Sequence, residues 1–225
     1  MSIYALDERL WFPPITEAES DGLLAFGSDL LPERLILAYK SGIFPWYSEH
    51  EPILWWSPNP RFVLYPKKLN VSDTMRQLLK KQVFTITFNH NFKQVIENCS
   101  QKKRKNQDGT WINHDVIDAY CELHKMGTAK SVEVWKEGVL VGGLYGIAMG
   151  KCFFGESMFS HESNASKAGF ITFVKHFSSL GLELVDCQLH TPHLESLGAE
   201  MISRDIFMET VERNNSVESI FETTF

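Results

Sequence analysis

Along the second half of the chain the apolar positions change their period. From Ser131, SVEVWK alternates, a turn at Glu137 and Gly138 leads into VLVGGLYGIAM, and a second turn near Gly150 leads into CFFGESMFS. That succession predicts three antiparallel strands. Between Asn164 and Leu180, Phe170, Phe173, Val174 and Phe177 recur at helical spacing and Gly181 closes the segment, which predicts a helix. The strand LELVDCQL comes next, then short helices around HLESLG and RDIFMETVERN, and the residues after Asn215 are expected to fray.

Upstream, Ser72 reads as the N-cap of a helix with Met75, Leu78 and Leu79 on its apolar side and Arg76 and Lys80 together on the exposed side. A strand at VFTITF, a helix at NHNFKQVIENCS, a polar loop at QKKRKNQDG and a helix ending at Gly127 follow. Before them, Pro13, Pro14, Pro45, Pro52, Pro58 and Pro60 rule out long regular elements, and only LPERLILAYKSG has a helical pattern. The expected organisation is a Pro/Trp-rich N-terminal lobe over residues 1–62 and a larger α/β (α+β) domain over 63–225, with a mixed, mostly antiparallel sheet.

With 225 residues and 44% apolar composition, a substantial core can be buried. No apolar stretch reaches the roughly 20 residues of a membrane span, and the acidic start MSIYALDERLW has no export pattern, so a soluble chain is expected. Cys99, Cys121, Cys152 and Cys187 are scattered, and His190 and His193 lack an obvious third partner, so no structural metal is expected. The formal charge of -6 argues against indiscriminate coating of nucleic acid. It hides a local excess: from Lys67 to Lys105 there are ten basic residues against Asp73 and Glu97.

The strand Leu182 to Leu189 carries the sharpest anomaly. Alternation puts Asp186 and Gln188 on one face and Val185, Cys187 and Leu189 on the other. An acid and an amide in an apolar strand either satisfy buried backbone groups or form the polar floor of a cleft. The phenylalanines of the preceding helix either pack on the sheet or, with Phe153, Phe154 and Phe159 close to Glu156, wall an apolar pocket. Trp46, Trp55, Trp56 and Trp111 are staples between lobes or flat surfaces for an unpaired base. The run Lys102, Lys103, Arg104, Lys105 is a solvated loop or a nucleic-acid contact.

The segments GLLAFGSDL, LILAYKSGIFPWYS, ILWWSPNPRFVL, GTWI, SVEVW, LVGGLYGIAMG, FFGESMFS, NASKAGF, LVDCQ and HLESLGA, in this order, resemble the leucyl/phenylalanyl-tRNA-protein transferase family from about Phe12 to about Phe207. Two positions depart from it: Gly27-Ser28 stands where two glycines are usual, and Thr191 where asparagine is common. The resemblance implies an acetyltransferase-like larger domain and transfer of leucine or phenylalanine from aminoacyl-tRNA to proteins beginning with arginine or lysine, marking them for degradation. It implies no cofactor, a cytoplasmic location and no membrane partner, and a monomer is the default.

Carried onto this chain, the resemblance makes Asp186 and Gln188 the catalytic pair and Glu156 a polar group on the acceptor side. Trp46 and Trp111, with Tyr39 and Tyr120 nearby, become the holders of the terminal adenosine. Leu144, Phe153, Phe170, Phe173, Phe177 and Val185 become the walls of the side-chain pocket. Arg76, Lys80 and the run Lys102 to Lys105 are then the contacts to tRNA phosphate. Two other readings stand beside it: a coenzyme A-dependent N-acyltransferase, whose R/Q-x-x-G-x-G/A loop is not found, and a non-catalytic module that binds tRNA or peptide ends.

Overall fold

The computed structural model describes residues 3–48, 50–101 and 111–222. The run Lys102, Lys103, Arg104, Lys105 lies outside the described residues.

The prolines of the N-terminal stretch leave room for short strands and one helix. Strands β1 (Tyr4–Leu6), β2 (Leu23–Gly27), β3 (Phe44–Pro45) and β4 (Leu54–Trp56) form a small sheet in the order β1-β2-β4-β3. Helix α1 (Pro32–Lys40) starts on its proline, whose missing N–H costs nothing in a first turn. Trp55 is fully buried, donates from Nε1 to the Gly27 carbonyl at 3.0 Å and meets Phe12 edge-on, so it staples this lobe from within. Ser28, in the unusual position noted above, holds a left-handed φ of 67° that glycine would adopt freely. Its hydroxyl donates to the Asp7 carbonyl at 2.9 Å, which ties the turn down.

The larger sheet is built from β5 (Arg61–Leu64), β6 (Thr85–Phe88), β7 (Ala129–Lys136), β8 (Val139–Met149), β9 (Cys152–Ser160), β10 (Leu184–Gln188) and β11 (Glu200–Ile202). Their order is β11-β5-β10-β9-β8-β7-β6, antiparallel throughout except where β10 runs parallel to β9. The expected hairpins β7-β8 and β8-β9 are present. Strand β5 was hidden in the aromatic N-terminal stretch: its four residues are all buried, so it shows no alternation to read.

Helices α2 (Asp73–Lys80), α3 (Phe92–Ser100), α4 (His114–Lys125), α5 (Ala165–Ser179), α6 (Pro192–Glu195) and α7 (Arg204–Asn214) complete the fold. Ser72 caps α2 by accepting from the Met75 N–H, as its sequence position required. Alternation along β7, β8 and β9 divides the core. Tyr145, Ile147 and Phe154 join α3 and α4 on one face, and Leu144, Phe153 and Val132 join α5 on the other. Among the described residues, no helix is long and apolar enough to cross a membrane.

The expectation that the chain frays after Asn215 is not met among the described residues, which run to Glu222. A turn of 3-10 helix forms at Ile220–Glu222, where the Ile220 N–H donates to the Gly150 carbonyl at 3.1 Å and Phe221 is 1% exposed. Phe221, with Ile220 packed beside it, anchors the segment, and two adjacent apolar residues among polar ones give no periodic signal.

Candidate active site

The parallel strands β9 and β10 pair only as far as Phe154 and Asp186. Just beyond, both carry a register irregularity: β9 opposite Tyr145 and Gly146, β10 between Asp186 and Gln188. Two strands that bulge at the same level stop pairing there and free their side chains and backbone. A cleft of about 790 Å³ lies at this point, lined by Gly155, Glu156 and Ser157 of β9 and by Asp186, Cys187 and Gln188 of β10.

Simple alternation misplaces Gln188. The bulge gives it a φ of 62°, a left-handed conformation that is costly for a residue with a Cβ. Its backbone N–H donates to Asp186 Oδ1 at 2.9 Å, which offsets part of that cost. Its side-chain Nε2 donates to Glu156 Oε1 at 2.8 Å. An amide whose N–H₂ end is held this way presents its oxygen elsewhere, as an acceptor.

Asp186 is wholly buried and meets Arg61 of β5 through two bonds, Nε to Oδ1 at 2.9 Å and Nη2 to Oδ2 at 2.7 Å. Arg61, 1% exposed, also donates to the Gly42 carbonyl at 3.2 Å and lies between the rings of Phe44 and Phe207, 4.7 and 4.6 Å from their centroids. Both carboxylate oxygens of Asp186 are therefore in use. A bidentate, aromatic-sandwiched guanidinium is a role lysine could not fill. Sequence reasoning missed Arg61. The only sign was one arginine in an aromatic stretch, 125 residues from its partner.

Glu156 accepts from Tyr39 Oη at 2.7 Å, Tyr120 Oη at 3.2 Å and Gln188 Nε2. The two tyrosine hydroxyls also hydrogen-bond each other. Burial pushes the Glu156 carboxyl up to about 7, aided by the charge of Asp186 and opposed by the bonds from the tyrosines and Gln188. Burial first, then the charge of Glu156, raises Tyr39 and Tyr120 well above the usual phenol range, so both remain donors.

Because the folded protein holds the Glu156 proton more tightly than a free carboxyl of 4.5 does, it binds more protons than the unfolded chain between those pH values. The stability this group contributes is complete below about 4.5 and is lost as the pH rises through about 7. Glu156→Gln removes the titration. Chemical unfolding from pH 4.5 to 8 should therefore show the wild type losing stability relative to the variant as pH rises, whereas parallel curves would contradict this assignment.

The apolar wall is made by Leu144, Phe153, Phe170 and Val185, which line the cleft together with Met158 and Leu194. Phe173 and Phe177 are not among its lining residues. They stand one layer behind, packed with Phe88 and Phe221, and Phe173 is 4.5 Å from Phe153 between ring centroids. Trp46 and Trp111 both line the cleft, and Trp46 is positioned by Trp56, whose Nε1 donates to its carbonyl at 2.7 Å. Tyr39 and Tyr120 are buried beneath Glu156 rather than at the cleft surface. Arg76 and Lys80 are on α2, away from the cleft lining, with Arg76 paired to Asp73 at 2.8 Å.

A family model described as leucyl/phenylalanyl-tRNA protein transferase matches residues 63–212, and one described as its N-terminal domain matches 28–59. This chain belongs to the leucyl/phenylalanyl-tRNA protein transferase family. A relative of that name from Flavobacterium johnsoniae is 56% identical over 210 residues, 93% of this chain and 99% of the relative. Another, from Pseudomonas aeruginosa, is 54% identical over 204 residues, 90% of each chain. Among solved structures, a GCN5-related N-acetyltransferase-like protein from Streptococcus suis is similar with a TM-score of 0.38 and 15% identity, covering 72% of this chain and 60% of that one. The cleft between β9 and β10, with its acid-amide pair, is the candidate active site on its geometry.

Proposed function

We propose that this transferase moves leucine or phenylalanine from aminoacyl-tRNA to the N-terminal amine of proteins beginning with arginine or lysine, in the cytoplasm and as a monomer. The observation that supports this reading most is the Gln188 amide, fixed at its backbone by Asp186 and at its Nε2 by Glu156, beside an apolar wall flanked by Trp46 and Trp111. Residues 1–62 serve in this proposal as a lobe that contributes Trp46 and Tyr39, and residues 63–225 as the catalytic domain.

An aminoacyl ester is already activated, so the reaction needs neither ATP nor a redox group. The donor side chain fills the space against Leu144, Phe153, Phe170 and Val185, with Phe173 and Phe177 backing that wall. The terminal adenosine lies against Trp46 and Trp111, and Tyr39 and Tyr120 act beneath it through Glu156. The acceptor amine, with an ordinary pKa of about 7.7 to 8.0, is neutral often enough near pH 7 to attack without a strong base.

Gln188 orients that amine by accepting one of its N–H bonds. The nitrogen attacks the ester carbonyl, the new C–N bond forms, the C–O bond to the ribose breaks, and the amine proton ends on the departing hydroxyl. Asp186, with both oxygens committed to Arg61 and Gln188, is a positioning residue in this scheme. Glu156 fixes Gln188 and, when ionised, adds negative charge on the side from which a cationic first residue approaches. Correct placement dominates the rate.

The test is labelled Leu-tRNA or Phe-tRNA with a peptide starting with arginine, in the absence of coenzyme A. Transfer of label to the peptide is expected, and none would overturn the proposal. Contacts to tRNA phosphate are proposed for Arg76, Lys80 and Lys102 to Lys105. Reversing Arg76 and Lys80 to glutamate should weaken donor binding and flatten its salt dependence by about one unit of slope per lost phosphate contact. An unchanged slope would take α2 out of the tRNA surface.

A further inference from the structure

Phe153 is confined on two sides. On the sheet side its ring covers Gly146, where an added Cβ would come within 2.7 Å of it, so the ring cannot move toward β8. On the other side stand Phe173, 4.5 Å away between centroids, and Phe221, 5.9 Å away. Phe221 also stacks on Phe173 at an interplanar angle of 13° and touches Phe177 at 4.7 Å. The ring that faces the cleft is thus wedged between a backbone and two aromatic rings, Phe173 of α5 and Phe221 of the segment after α7.

That segment is held at both sides of its anchor. The Ile220 N–H donates to the Gly150 carbonyl, and the Glu222 carboxylate meets Lys130 Nζ at 3.7 Å. Lys130 is 4% exposed and pairs across the sheet with Gly146, the residue under Phe153. The segment lies beyond residues 63–212, which the family model matches.

We infer that Phe221 is a specificity-determining residue that sets the depth of the donor side-chain pocket by holding Phe153 forward. This rests on the reading of the pocket given above. A wall that cannot retreat fixes how long a side chain it admits, and a methylene-sized change in an apolar pocket shifts discrimination by roughly 10- to 200-fold. Removing the Phe221 ring opens space behind Phe153 and beside Phe173, so that both rings can shift back and Phe153 yields to a longer donor.

The experiment measures kcat/KM for Phe-tRNA and Leu-tRNA with Phe221→Ala, Phe221→Leu and Phe153→Ala in the full chain. Phe221→Ala should raise the Phe-to-Leu ratio about tenfold, the low end of that range, and Phe221→Leu about threefold. A purely structural role would lower both donors equally and leave the ratio unmoved, which overturns the inference. If Phe221→Ala does not fold, Phe221→Leu decides by the same criterion. A ratio moved by Phe153→Ala but not by Phe221 variants sinks only this inference. A ratio unmoved by Phe153→Ala sinks the pocket reading and the inference with it.

Discussion

Asp186→Asn should slow transfer by at least about 10²-fold and lower the unfolding free energy by about 3–5 kcal/mol, with donor-tRNA affinity almost unchanged. The substitution keeps the shape and removes the charge. Arg61, between Phe44 and Phe207 and out of reach of water, would keep its positive charge with only neutral carbonyl oxygens, of Gly42 and of the new asparagine, as partners. An uncompensated buried charge costs far more than the pair contributes, because desolvation has already consumed most of the attraction.

The rate falls for a separate reason. Asp186 Oδ1 accepts both Arg61 Nε and the Gln188 N–H, and an asparagine oxygen without the ion pair holds the left-handed Gln188 less firmly. The two effects separate in Arg61→Met with Asp186→Leu, where both charges go and apolar groups of similar volume replace them. Stability should return to within about 1 kcal/mol of wild type, as such replacements often do, while transfer stays slow. Recovery of activity along with stability would make Asp186 a structural residue only.

Much of this architecture is visible in periodicity. The strands β7 to β9 and the helix α5 announce themselves because each buries one continuous face against a neighbour, so their pattern carries their environment. Strand β5 does not, since all four of its residues are buried and alternation vanishes. The acid-amide pair stood out in β10 for its chemistry, but the bulge that turns Gln188 is a property of how β10 meets β9 and β5 and leaves no local mark.

Phe173 and Phe177 illustrate a different limit. Helical spacing identifies the face they share with Phe170, but only the packing of α5 on the sheet decides which of them reaches a cavity and which stops one layer short. Tyr39 and Tyr120 were expected near the tryptophans that hold the adenosine, and their hydroxyls meet Glu156, a contact between helices α1 and α4 and strand β9 that no spacing encodes. Arg61 is the plainest case. Its importance comes from burial and a distant partner, and a buried arginine looks like an exposed one in a sequence.

The second large effect falls on Gln188 itself. Its side chain joins Glu156 to the open cleft, and replacing it by alanine leaves Asp186, Arg61 and the apolar wall in place while removing the acceptor that aims the incoming nitrogen. Stability should change little, since the side chain is only half-buried and Glu156 keeps its bonds from Tyr39 and Tyr120. The loss should therefore appear in the chemical step. Single-turnover transfer of labelled phenylalanine to an arginine-starting peptide, at saturating enzyme, measures that step directly. Gln188→Ala should slow it by about 10²-fold or more with donor affinity unchanged, whereas a wild-type rate, or a loss confined to donor binding, would contradict the account.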